Sequence, residues 1–250
     1  MRRWIKHAFR LAGYDIARRD AHDHPEFSAD MSLFERDVFT AVKPFTMTSV
    51  ERVTTLVRAV QHVVAQRLTG DVVECGVWRG GSAMAIALTL VAARDTSRGL
   101  YLFDTFSGMT PPSAKDVTAD GRDGAALLAQ GDDNSWVVAR ASLDEVKRNL
   151  ATTGYPMERI HFIQGAVEDT IPGSAPAAIS LLRLDTDWYE STKHELDTLY
   201  SRLAPGGVLM IDDYGWWQGS RTATDEFLAE SGAQLLLMRM GSGRIAVKPR

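Results

Sequence analysis

The sequence predicts an α/β protein built on a mostly parallel, doubly wound sheet. Short apolar runs alternate along the chain with segments of helical periodicity, which is the pattern of successive strand, helix and strand units. The last two apolar runs are separated by a glycine-rich turn, which predicts a C-terminal antiparallel hairpin. With 250 residues, 45% of them hydrophobic, the chain is long enough for one well-filled domain and too short for two.

Residues 1–45 predict an N-terminal helical extension, because they contain mixed charge and two prolines but no strand-like run. One helical face near the start can be formed by Trp4, Ile5, Ala8, Phe9 and Leu11. We interpret this face as packing against the chain's own domain or a second subunit, with a membrane surface as the alternative. No signal peptide is indicated, because no long apolar stretch follows the basic residues. We expect the extension to serve in oligomerisation or as a lid.

The core domain is expected to span residues 46–250. Thr48 and Glu51 have the spacing of a capping box, so we expect a helix to begin there and Gly70 to end it. Apolar residues spaced by three and four predict the buried face of this helix: Val53, Leu56, Val57, Val60, Val64 and Leu68.

Five apolar runs then predict the parallel strands, at residues 72–75, 100–103, 160–163, 179–184 and 208–211. Helical periodicity predicts the connecting helices at residues 83–93, 143–150, 190–203 and 223–231. Residues 235–238 and 244–247 flank Gly241-Ser242-Gly243, and we expect them to form the hairpin at one edge of the sheet.

The segment of residues 105–141 is rich in Gly, Asp and Pro and has only a short helical pattern at 125–129. Long irregular segments inside compact domains are usually lids or binding loops. We therefore expect this segment to be the lid of an active site.

The composition argues against several classes of function. A formal net charge of -4 provides no positive field that would attract nucleic acid. No window reaches the roughly 18 consecutive apolar residues that a membrane-spanning helix needs. Cys75 is the single cysteine, which excludes an intramolecular disulfide and suits a reducing compartment. The cytoplasm is the expected location.

Glycines follow the first predicted strand at Gly76, Gly80 and Gly81, where a backbone without Cβ lets a ligand approach closely. Their spacing departs from the G-x-G-x-x-G of dinucleotide sites. Asp104 follows the second apolar run, where an acid can accept hydrogen bonds from ribose hydroxyls. Together these features favour a nucleoside ligand, and they leave open whether the enzyme is a dehydrogenase or a methyltransferase.

Four aspartates follow the fourth and fifth predicted strands: Asp185 and Asp187 after one, Asp212 and Asp213 after the other. Adjacent parallel strands deliver such side chains to the same crevice as the nucleoside. Converging carboxylates need a cation or shared protons, and all-oxygen ligation suits Mg²⁺ better than zinc. We therefore expect a metal site. A metal-dependent hydrolase and a non-catalytic binding protein are alternatives that use only part of this pattern.

Other conspicuous side chains are less decisive. His62, His161 and His194 fall inside helices or beside core positions, and we interpret them as structural. Trp216 and Trp217 follow the acidic pair, where they either stack on a sugar or aglycone or pack under the lid.

Taken together, five segments resemble the macrocin O-methyltransferase family, whose members methylate sugar hydroxyls on antibiotics and related saccharides. They span roughly residues 40–230, in order. The segments are Pro44-Phe45-Thr46-Met47-Thr48-Ser49, Val73-Glu74-Cys75-Gly76-Val77-Trp78-Arg79-Gly80-Gly81-Ser82, Phe103-Asp104-Thr105-Phe106-Ser107-Gly108-Met109, Leu182-Arg183-Leu184-Asp185-Thr186-Asp187-Trp188-Tyr189-Glu190-Ser191-Thr192 and Ile211-Asp212-Asp213-Tyr214-Gly215.

The resemblance implies a Rossmann-like class I methyltransferase fold, S-adenosylmethionine as methyl donor, Mg²⁺ as metal, and a homo-oligomer, a dimer or larger, formed partly through the N-terminal region. The implied metal ligands are Asp185, Asp212 and Asp213. For the reaction itself, Asp187 or Asp185 is our candidate general base. The positions implied for the donor are Met47, Ser49, Glu74, Gly76, Ser82, Asp104, Glu168 and Asp169.

We therefore predict an S-adenosylmethionine- and Mg²⁺-dependent O-methyltransferase that acts on a sugar hydroxyl of a saccharide or glycosylated natural product. A catechol-type small molecule is the alternative acceptor, and an NAD(P)-dependent oxidoreductase is the alternative enzyme. Thr186 and Trp216 stand where many relatives have Gly and His, and both flank the acceptor pocket. The identity of the acceptor therefore stays open.

Overall fold

The computed structural model describes residues 27–132 and 135–250. The chain divides into two compact units, Met1–Ser32 and Leu33–Arg250, and every element described below belongs to the second unit. The amphipathic face predicted at residues 4–11 lies outside the described residues. No helix among the described residues is both long enough and apolar enough to cross a membrane.

The strands form one seven-stranded sheet with the order β3-β2-β1-β4-β5-β7-β6. In chain order they are β1 Asp71–Cys75, β2 Leu100–Asp104, β3 Ile160–Gln164, β4 Ile179–Leu184, β5 Leu203–Ile211, β6 Met238–Met240 and β7 Gly243–Val247. The first five strands pair in parallel, whereas β7 is antiparallel to both β5 and β6. The α/β fold, the parallel sheet and the antiparallel C-terminal pair are confirmed.

The helices precede and connect the strands. In chain order they are α1 Leu33–Val42, α2 Val50–Ala65, α3 Gly81–Ala92, α4 Gly124–Gln130, α5 Leu143–Ala151, α6 Val167–Thr170, α7 Tyr189–Leu199 and α8 Gln218–Ser231. Three single 3-10 turns, Lys43–Phe45, Met157–Arg159 and Tyr200–Arg202, join some of them to their neighbours. The helix predicted at residues 190–203 ends at Leu199, because the chain tightens into the 3-10 turn Tyr200–Arg202 and then enters β5.

The start of α2 and the first strand of the hairpin also differ from prediction, for physical reasons. The α2 helix is capped by Ser49, whose Oγ accepts a hydrogen bond from the Arg52 N–H at 3.4 Å, rather than by Thr48. The first strand of the hairpin is β6, not residues 235–238, because Met238 pairs with Ile245 and the turn needs only Gly241 and Ser242. Leu236 is left outside the sheet, with 79% of its surface exposed.

The β5 strand begins five residues earlier than its apolar run. The strand therefore includes Pro205, Gly206 and Gly207, which precede the predicted run at residues 208–211. The register between β4 and β5 shifts between Ile179 and Leu181, which absorbs these residues as an irregularity.

The core lies on both faces of the central strands, and all six residues of β4 are buried. One large apolar cluster joins Val73, Leu182 and Leu209 of the sheet to α7 and α8 through Leu196 and Phe227. The opposite face of the same strands meets α2, which contacts β4 and β5. Burial on both faces explains why these strands read as continuous apolar runs rather than as alternating ones.

The register of the sheet determines where the polar side chains meet. Cys75 pairs with Leu184, and Leu184 pairs with Ile211, so β1, β4 and β5 end side by side. The ladder continues one residue further, since the Asp185 N–H donates to Cys75 O at 2.8 Å and the Asp212 N–H donates to Leu184 O at 2.9 Å. Gly76, Asp185 and Asp212 are therefore neighbours at one edge of the sheet.

Candidate active site

A pocket of about 500 Å³ opens at the carboxyl ends of the parallel strands. Nine of the residues predicted to act in the site line it: Met47, Gly76, Ser82, Asp104, Glu168, Asp185, Asp187, Asp212 and Asp213. Three predicted donor-site residues, Ser49, Glu74 and Asp169, are not among its lining residues. The pocket therefore joins the glycine turn after β1 to the aspartates after β4 and β5.

The turn after β1 is shaped by Gly76, which has φ +82° and lies against the backbone of Asp185. A Cβ at this position would fall well inside the contact distance of the Asp185 carbonyl group. Glycine is therefore required for two reasons, its left-handed backbone and the close approach of β4. The absence of a side chain also exposes the backbone of this turn to the pocket.

Asp104, at the end of β2, is fixed by backbone donors. Its Oδ2 accepts from the Val77 N–H at 2.7 Å and the Trp78 N–H at 3.0 Å, and its Oδ1 accepts from the Phe106 N–H at 2.7 Å. Burial raises the pKa of Asp104, and the three N–H groups act in the opposite direction. The carboxylate thus ties two turns together and still presents lone pairs to the pocket.

The other residues predicted for the donor lie around this end. Glu168 accepts a hydrogen bond from Ser191 Oγ at 2.7 Å, while Asp169 is exposed beside it on α6. Ser49 is engaged as the cap of α2. Glu74 is fully buried and forms an ion pair with Arg183 at 2.7 Å.

Arg183 and Arg52 neutralise part of the acidic cluster. Nη2 of Arg183 lies 2.8 Å from Asp185 Oδ2 and 2.9 Å from Asp212 Oδ2. Arg52, in the first turn of α2, places its Nη1 2.8 Å from the same Asp212 oxygen. Asp212 is therefore held from two sides by guanidinium groups, one fully buried and one partly open to the pocket.

The remaining aspartates carry raised pKa values. Burial, together with the negative charge of Asp185, raises the pKa of Asp187 to about 7. Burial raises the pKa of Asp185 to about 6, against the opposing pull of Arg183. Burial and the charges of its three acidic neighbours raise the pKa of Asp213 well above its usual range. The cluster therefore has too few positive charges for all of its carboxylates to ionise freely.

Two carboxylate oxygens in this cluster are buried without a hydrogen-bond partner, Asp212 Oδ1 and Asp213 Oδ2. An unpartnered buried carboxylate oxygen is costly, and a divalent cation would satisfy it. The available ligand atoms are all carboxylate oxygens, which is the type of ligand that Mg²⁺ prefers. Within the described residues, however, no three His, Cys, Asp or Glu side chains are already arranged around a common cation position.

The turn after β4 also holds Asp187 in a special conformation. Asp187 has φ +66°, in the left-handed region that few residues other than glycine adopt. Its Oδ1 accepts a hydrogen bond from Trp217 Nε1 at 2.8 Å. The strained backbone and the indole together fix the carboxylate at the wall of the pocket.

Four tryptophans near the aspartates form a buried pair and an exposed pair. Trp217 and Trp188 are almost fully buried and pack edge to face with ring centroids 4.8 Å apart. Trp216 and Trp136 line the pocket with exposed fractions of 40% and 44%. Of the two sequence interpretations for the Trp216-Trp217 pair, packing under the lid therefore describes Trp217, whereas Trp216 faces the cavity.

The segment of residues 105–141 is ordered in its described parts and contributes to the pocket. Asp116 is fully buried and accepts from the Ser113 N–H at 2.6 Å and the Tyr189 N–H at 2.7 Å, which ties the segment to α7. Gly108, Met109 and Trp136 of this segment line the cavity.

The three histidines lie outside the pocket lining. Nε2 of His62 and of His194 lie 3.1 Å from the carbonyl oxygens of Gly206 and Ile171, respectively. His161 stacks on Tyr101 with ring centroids 4.3 Å apart. These contacts join elements of the fold.

Sequence reasoning missed Arg52, Arg183 and Trp136. Arg183 had a readable signal, because a charged residue inside a fully buried strand requires a buried partner. Arg52 lies on the exposed side of an ordinary helical pattern, and Trp136 lies in an irregular segment. The periodicity of the sequence therefore does not predict that Arg52 and Trp136 belong to the site.

Residues 5–241 match the family model described as macrocin-O-methyltransferase (TylF). A relative from Streptomyces olivaceus, 8-demethyl-8-(2,3-dimethoxy-alpha-L-rhamnosyl)-tetracenomycin-C 4'-O-methyltransferase, is 36% identical over 189 residues, which cover 76% of this chain and 69% of the relative. Demethyldecarbamoylnovobiocin O-methyltransferase from Streptomyces niveus is 33% identical, covering 74% and 68%. The solved structure of the O-methyltransferase NovP superposes with a TM-score of 0.72 at 30% identity, covering 82% of this chain and 83% of that one.

Proposed function

The chain belongs to the macrocin-O-methyltransferase family and is a methyltransferase, and from this premise we propose that it transfers the methyl group of S-adenosylmethionine to a sugar hydroxyl with the help of Mg²⁺. We propose a saccharide or a glycosylated small molecule as the acceptor. The relatives from Streptomyces olivaceus and Streptomyces niveus support this choice, since the first is named for methylating a rhamnosyl tetracenomycin and the second for methylating demethyldecarbamoylnovobiocin.

One feature of the pocket supports this function above all. A single cavity is lined by Gly76 and Asp104, which follow β1 and β2, and by Asp185, Asp212 and Asp213, which follow the neighbouring strands β4 and β5. A nucleoside donor beside Gly76 and Asp104 would lie directly next to an acceptor held by the aspartates. Such proximity is what methyl transfer requires, because the acceptor oxygen must stand in line behind the methyl carbon.

We assign the donor to the ends of β1, β2 and β3. Gly76 lets the backbone approach the ligand, and Asp104 offers lone pairs to the ribose hydroxyls from a carboxylate already fixed by three N–H groups. Glu168, held by Ser191, lies at the same end. Hydrogen bonds within the protein hold Asp104 and Glu168, which limits the reorganisation that binding requires.

In the proposed reaction an oxygen lone pair of the acceptor forms a bond to the methyl carbon while the carbon–sulfur bond breaks. The sulfonium thereby becomes a neutral thioether, and the hydroxyl proton passes to an aspartate. Asp187 and Asp185 are the candidates for this base, because the carboxylates of both line the pocket where the acceptor hydroxyl is proposed to lie.

We propose that Asp185, Asp212 and Asp213 hold Mg²⁺. The unpartnered oxygens of Asp212 and Asp213 support this assignment, since they are buried beside the acceptor end of the pocket. When bound, Mg²⁺ supplies Lewis acidity that stabilises negative charge on a hydroxyl oxygen. The side chains of Asp185 and Asp187 then remain the groups that orient the acceptor and accept its proton.

The decisive test is methyl transfer from labelled S-adenosylmethionine to mono- and oligosaccharides, antibiotic glycosides and catechols, with Mg²⁺ and then with a chelator. Label on a sugar only in the presence of Mg²⁺ is the expected result. Label confined to catechols would replace the sugar by a phenolic acceptor, and label that persists with chelator would remove the metal from the chemistry.

Asp213→Asn is the variant that tests the metal site most cleanly. Among the described residues no arginine pairs with Asp213, whereas Arg52 and Arg183 pair with Asp212, so the substitution does not leave either of these guanidinium groups without its partner. We expect turnover to fall on the order of 10²- to 10³-fold, with donor affinity little changed. Asp197→Asn, which alters a carboxylate paired with Lys193 on the surface of α7, is the matched control and should retain activity. An Asp213→Asn enzyme with normal turnover would contradict the site.

A further inference from the structure

A buried carboxylate in the segment of residues 105–141 lies where two helices begin. Asp116 is fully buried, and its Oδ1 accepts a hydrogen bond at 2.7 Å from the N–H of Tyr189, the first residue of α7. The same oxygen lies against Gly219 in the first turn of α8, so closely that a Cβ there would overlap it. The Oδ2 atom accepts from the N–H and the Oγ of Ser113 at 2.6 and 2.8 Å. One side chain of this segment therefore contacts the starts of both helices.

Neither helix is capped by its own N-cap side chain. The residues that precede α7 and α8 are Trp188 and Trp217, and neither of their side chains accepts a hydrogen bond from the helix. The first N–H groups of a helix have no partner within it, and its N-terminus carries a partial positive charge. Asp116 supplies an acceptor to α7 and a negative charge to both helices from outside them, which stabilises their first turns.

The same two helix starts carry part of the pocket wall. Asp187 lies two residues before Tyr189, has φ +66°, and accepts a hydrogen bond at 2.8 Å from Nε1 of Trp217, the residue before α8. The bond between Asp187 and Trp217 therefore joins the two helix starts beside the pocket. Asp116 is not among the lining residues and joins the same two helix starts from within the protein. A shift of either start would move the Asp187 carboxylate relative to an acceptor in the pocket.

Backbone hydrogen bonds continue the contact between this segment and the start of α8. The Gln218 N–H donates to Val117 O at 2.8 Å, and the Ala119 N–H donates to Trp216 O at 2.8 Å. The residues that follow Asp116 are therefore paired with the residues that surround Trp217. Through Asp116 and its neighbours, the segment is attached to the chain on both sides of the bond between Asp187 and Trp217.

We propose that Asp116 is a positioning residue for methyl transfer: it holds the starts of α7 and α8 together and thereby fixes the carboxylate of Asp187 in the pocket wall. The segment of residues 105–141 then sets the geometry of the reacting groups as well as covering the pocket. The inference rests on the proposed function, because it takes Asp187 as a group that orients the acceptor or accepts its proton.

The first measurement follows the bond between Trp217 and Asp187 without any acceptor. In ¹⁵N-labelled protein the indole N–H of Trp217 gives one NMR signal, which the Trp217→Phe variant identifies by its loss. We expect Asp116→Ala to shift this signal, as Asp187→Asn does, because the two helix starts are no longer held together. Asp123→Ala is the matched control. It removes a carboxylate of the same segment that accepts from the Ala126 N–H and caps the short helix α4, and it should leave the signal in place.

The second measurement separates positioning from a general loss of structure. With the acceptor of the labelling panel that receives the methyl group, Asp116→Ala should lower kcat roughly 10- to 100-fold, because a small displacement of an aligned group costs that much. The Kd for S-adenosylmethionine should change little. Asp116→Asn keeps an oxygen that can accept from the Tyr189 N–H and should restore most of kcat. Gly219→Ala places a methyl group where Oδ1 of Asp116 lies and should also lower kcat, although alanine itself favours a helix.

A double variant shows whether Asp116 acts through Asp187. Asp116→Ala combined with Asp187→Asn should be no slower than Asp187→Asn alone, since no carboxylate is left to position. Losses that multiply in the double variant, or an unshifted Trp217 signal in Asp116→Ala, would overturn the positioning role while methyl transfer stood. Absence of label on every acceptor would instead overturn the proposed function, and the Trp217 signal alone would then decide: a shift supports the role of Asp116, and no shift refutes it. If Asp116→Ala binds no donor because it does not fold, the same signal in Gly219→Ala decides in the same way.

Discussion

Arg52 forms an ion pair with an oxygen of Asp212 that a cation at the proposed metal site would also contact. Its Nη1 lies 2.8 Å from Asp212 Oδ2, and the side chain is 18% exposed, so it can turn toward solvent. Arg183 holds the same oxygen from the buried side at 2.9 Å. Removing Arg52 would therefore leave Asp212 with one cationic partner and a more negative pocket.

We predict that Arg52→Gln binds Mn²⁺, as a probe for Mg²⁺, about tenfold more tightly than the unaltered protein, because one competing positive charge is lost. The affinity is measured by electron paramagnetic resonance or calorimetry without donor or acceptor. Arg148→Gln, on the exposed surface of α5, changes the net charge equally and should leave the affinity unchanged. Weaker binding by Arg52→Gln would mean that this arginine orients Asp212 for the cation instead of competing with it.

The burial of Glu195 affects how the stability of the protein depends on pH. It is fully buried on α7, its Oε1 has no hydrogen-bond partner, and its Oε2 accepts from Thr186 Oγ1 at 3.2 Å beneath the turn that carries Asp185 and Asp187. Burial raises the pKa of Glu195 well above its usual range. The folded protein therefore retains a proton that the unfolded chain gives up above its own pKa of about 4.3.

Because the folded and unfolded states bind this proton with different affinity, Glu195 makes the free energy of unfolding depend on pH. The stability contributed by protonated Glu195 is fully present below the unfolded pKa and falls by about 1.4 kcal/mol per pH unit as the pH rises toward the folded pKa. We predict that Glu195→Gln loses less stability between pH 5 and pH 8 than the unaltered protein, measured by denaturant unfolding with chelator present. Glu190→Gln, exposed on the same helix, should keep the original slope. Identical slopes in all three proteins would show that Glu195 does not hold the proton.

At the residue scale, the sequence predicted the aspartates more readily than their counterions. Asp185 and Asp212 follow apolar runs, so their place at the ends of strands can be read from the chain. The contacts of Arg183 with Glu74 and Asp185 depend on which strands are neighbours and on their register. Pairing across the sheet is a tertiary property that local sequence patterns do not encode.

At the scale of elements, the approach of β1 to β4 at Gly76 is the tightest constraint on the site. The glycine has φ +82°, and a Cβ there would collide with the backbone of Asp185. Gly154 offers a comparison, since its φ of +76° is similar but a Cβ would meet no atom within 4 Å. Comparing these two glycines therefore separates the energetic cost of a left-handed backbone from the cost of a steric collision.

We predict that Gly154→Ala lowers the free energy of unfolding by about 1 kcal/mol, the cost of a left-handed alanine. Gly76→Ala should cost about 2–4 kcal/mol, because β1 and β4 must also move apart. It should also weaken binding of S-adenosylmethionine, which Gly154→Ala should not. Urea unfolding and calorimetry provide the two readouts, and equal losses in both variants would contradict a close approach at Gly76.

The elements themselves were largely predictable, because a strand buried on both faces must be apolar throughout. Deviations occurred where local signals conflicted with pairing, as at β5, where residues 205–207 resemble a turn but remain in the sheet. The position of β6 was set by the turn at Gly241 and not by the apolar residues before it. Periodicity did not predict the structure within residues 105–141, because long-range contacts of Asp116 and the tryptophans organise this segment.

At the scale of the whole molecule, the division of the chain near residue 32 gives the prediction of oligomerisation a testable form. Residues Leu33–Arg250 form a compact unit that contains the sheet and the pocket. A chain beginning at Leu33 should therefore unfold cooperatively and bind S-adenosylmethionine like the full chain. If the N-terminal region joins subunits, as the family resemblance implies, this shortened chain should be monomeric where the full chain is a dimer or larger.

Light scattering coupled to size-exclusion chromatography measures both masses, and donor affinity verifies that the shortened chain is folded. An unchanged assembly would move the interface into residues 33–250. The exposed apolar side chains Leu236, Met238 and Val247 beside the edge strand β6 would then be the surface to examine, because an uncovered edge with apolar side chains is a ready site for pairing. Leu236→Asp in the full chain distinguishes these cases: it should dissociate an assembly formed at this edge and leave one formed through the N-terminal region intact.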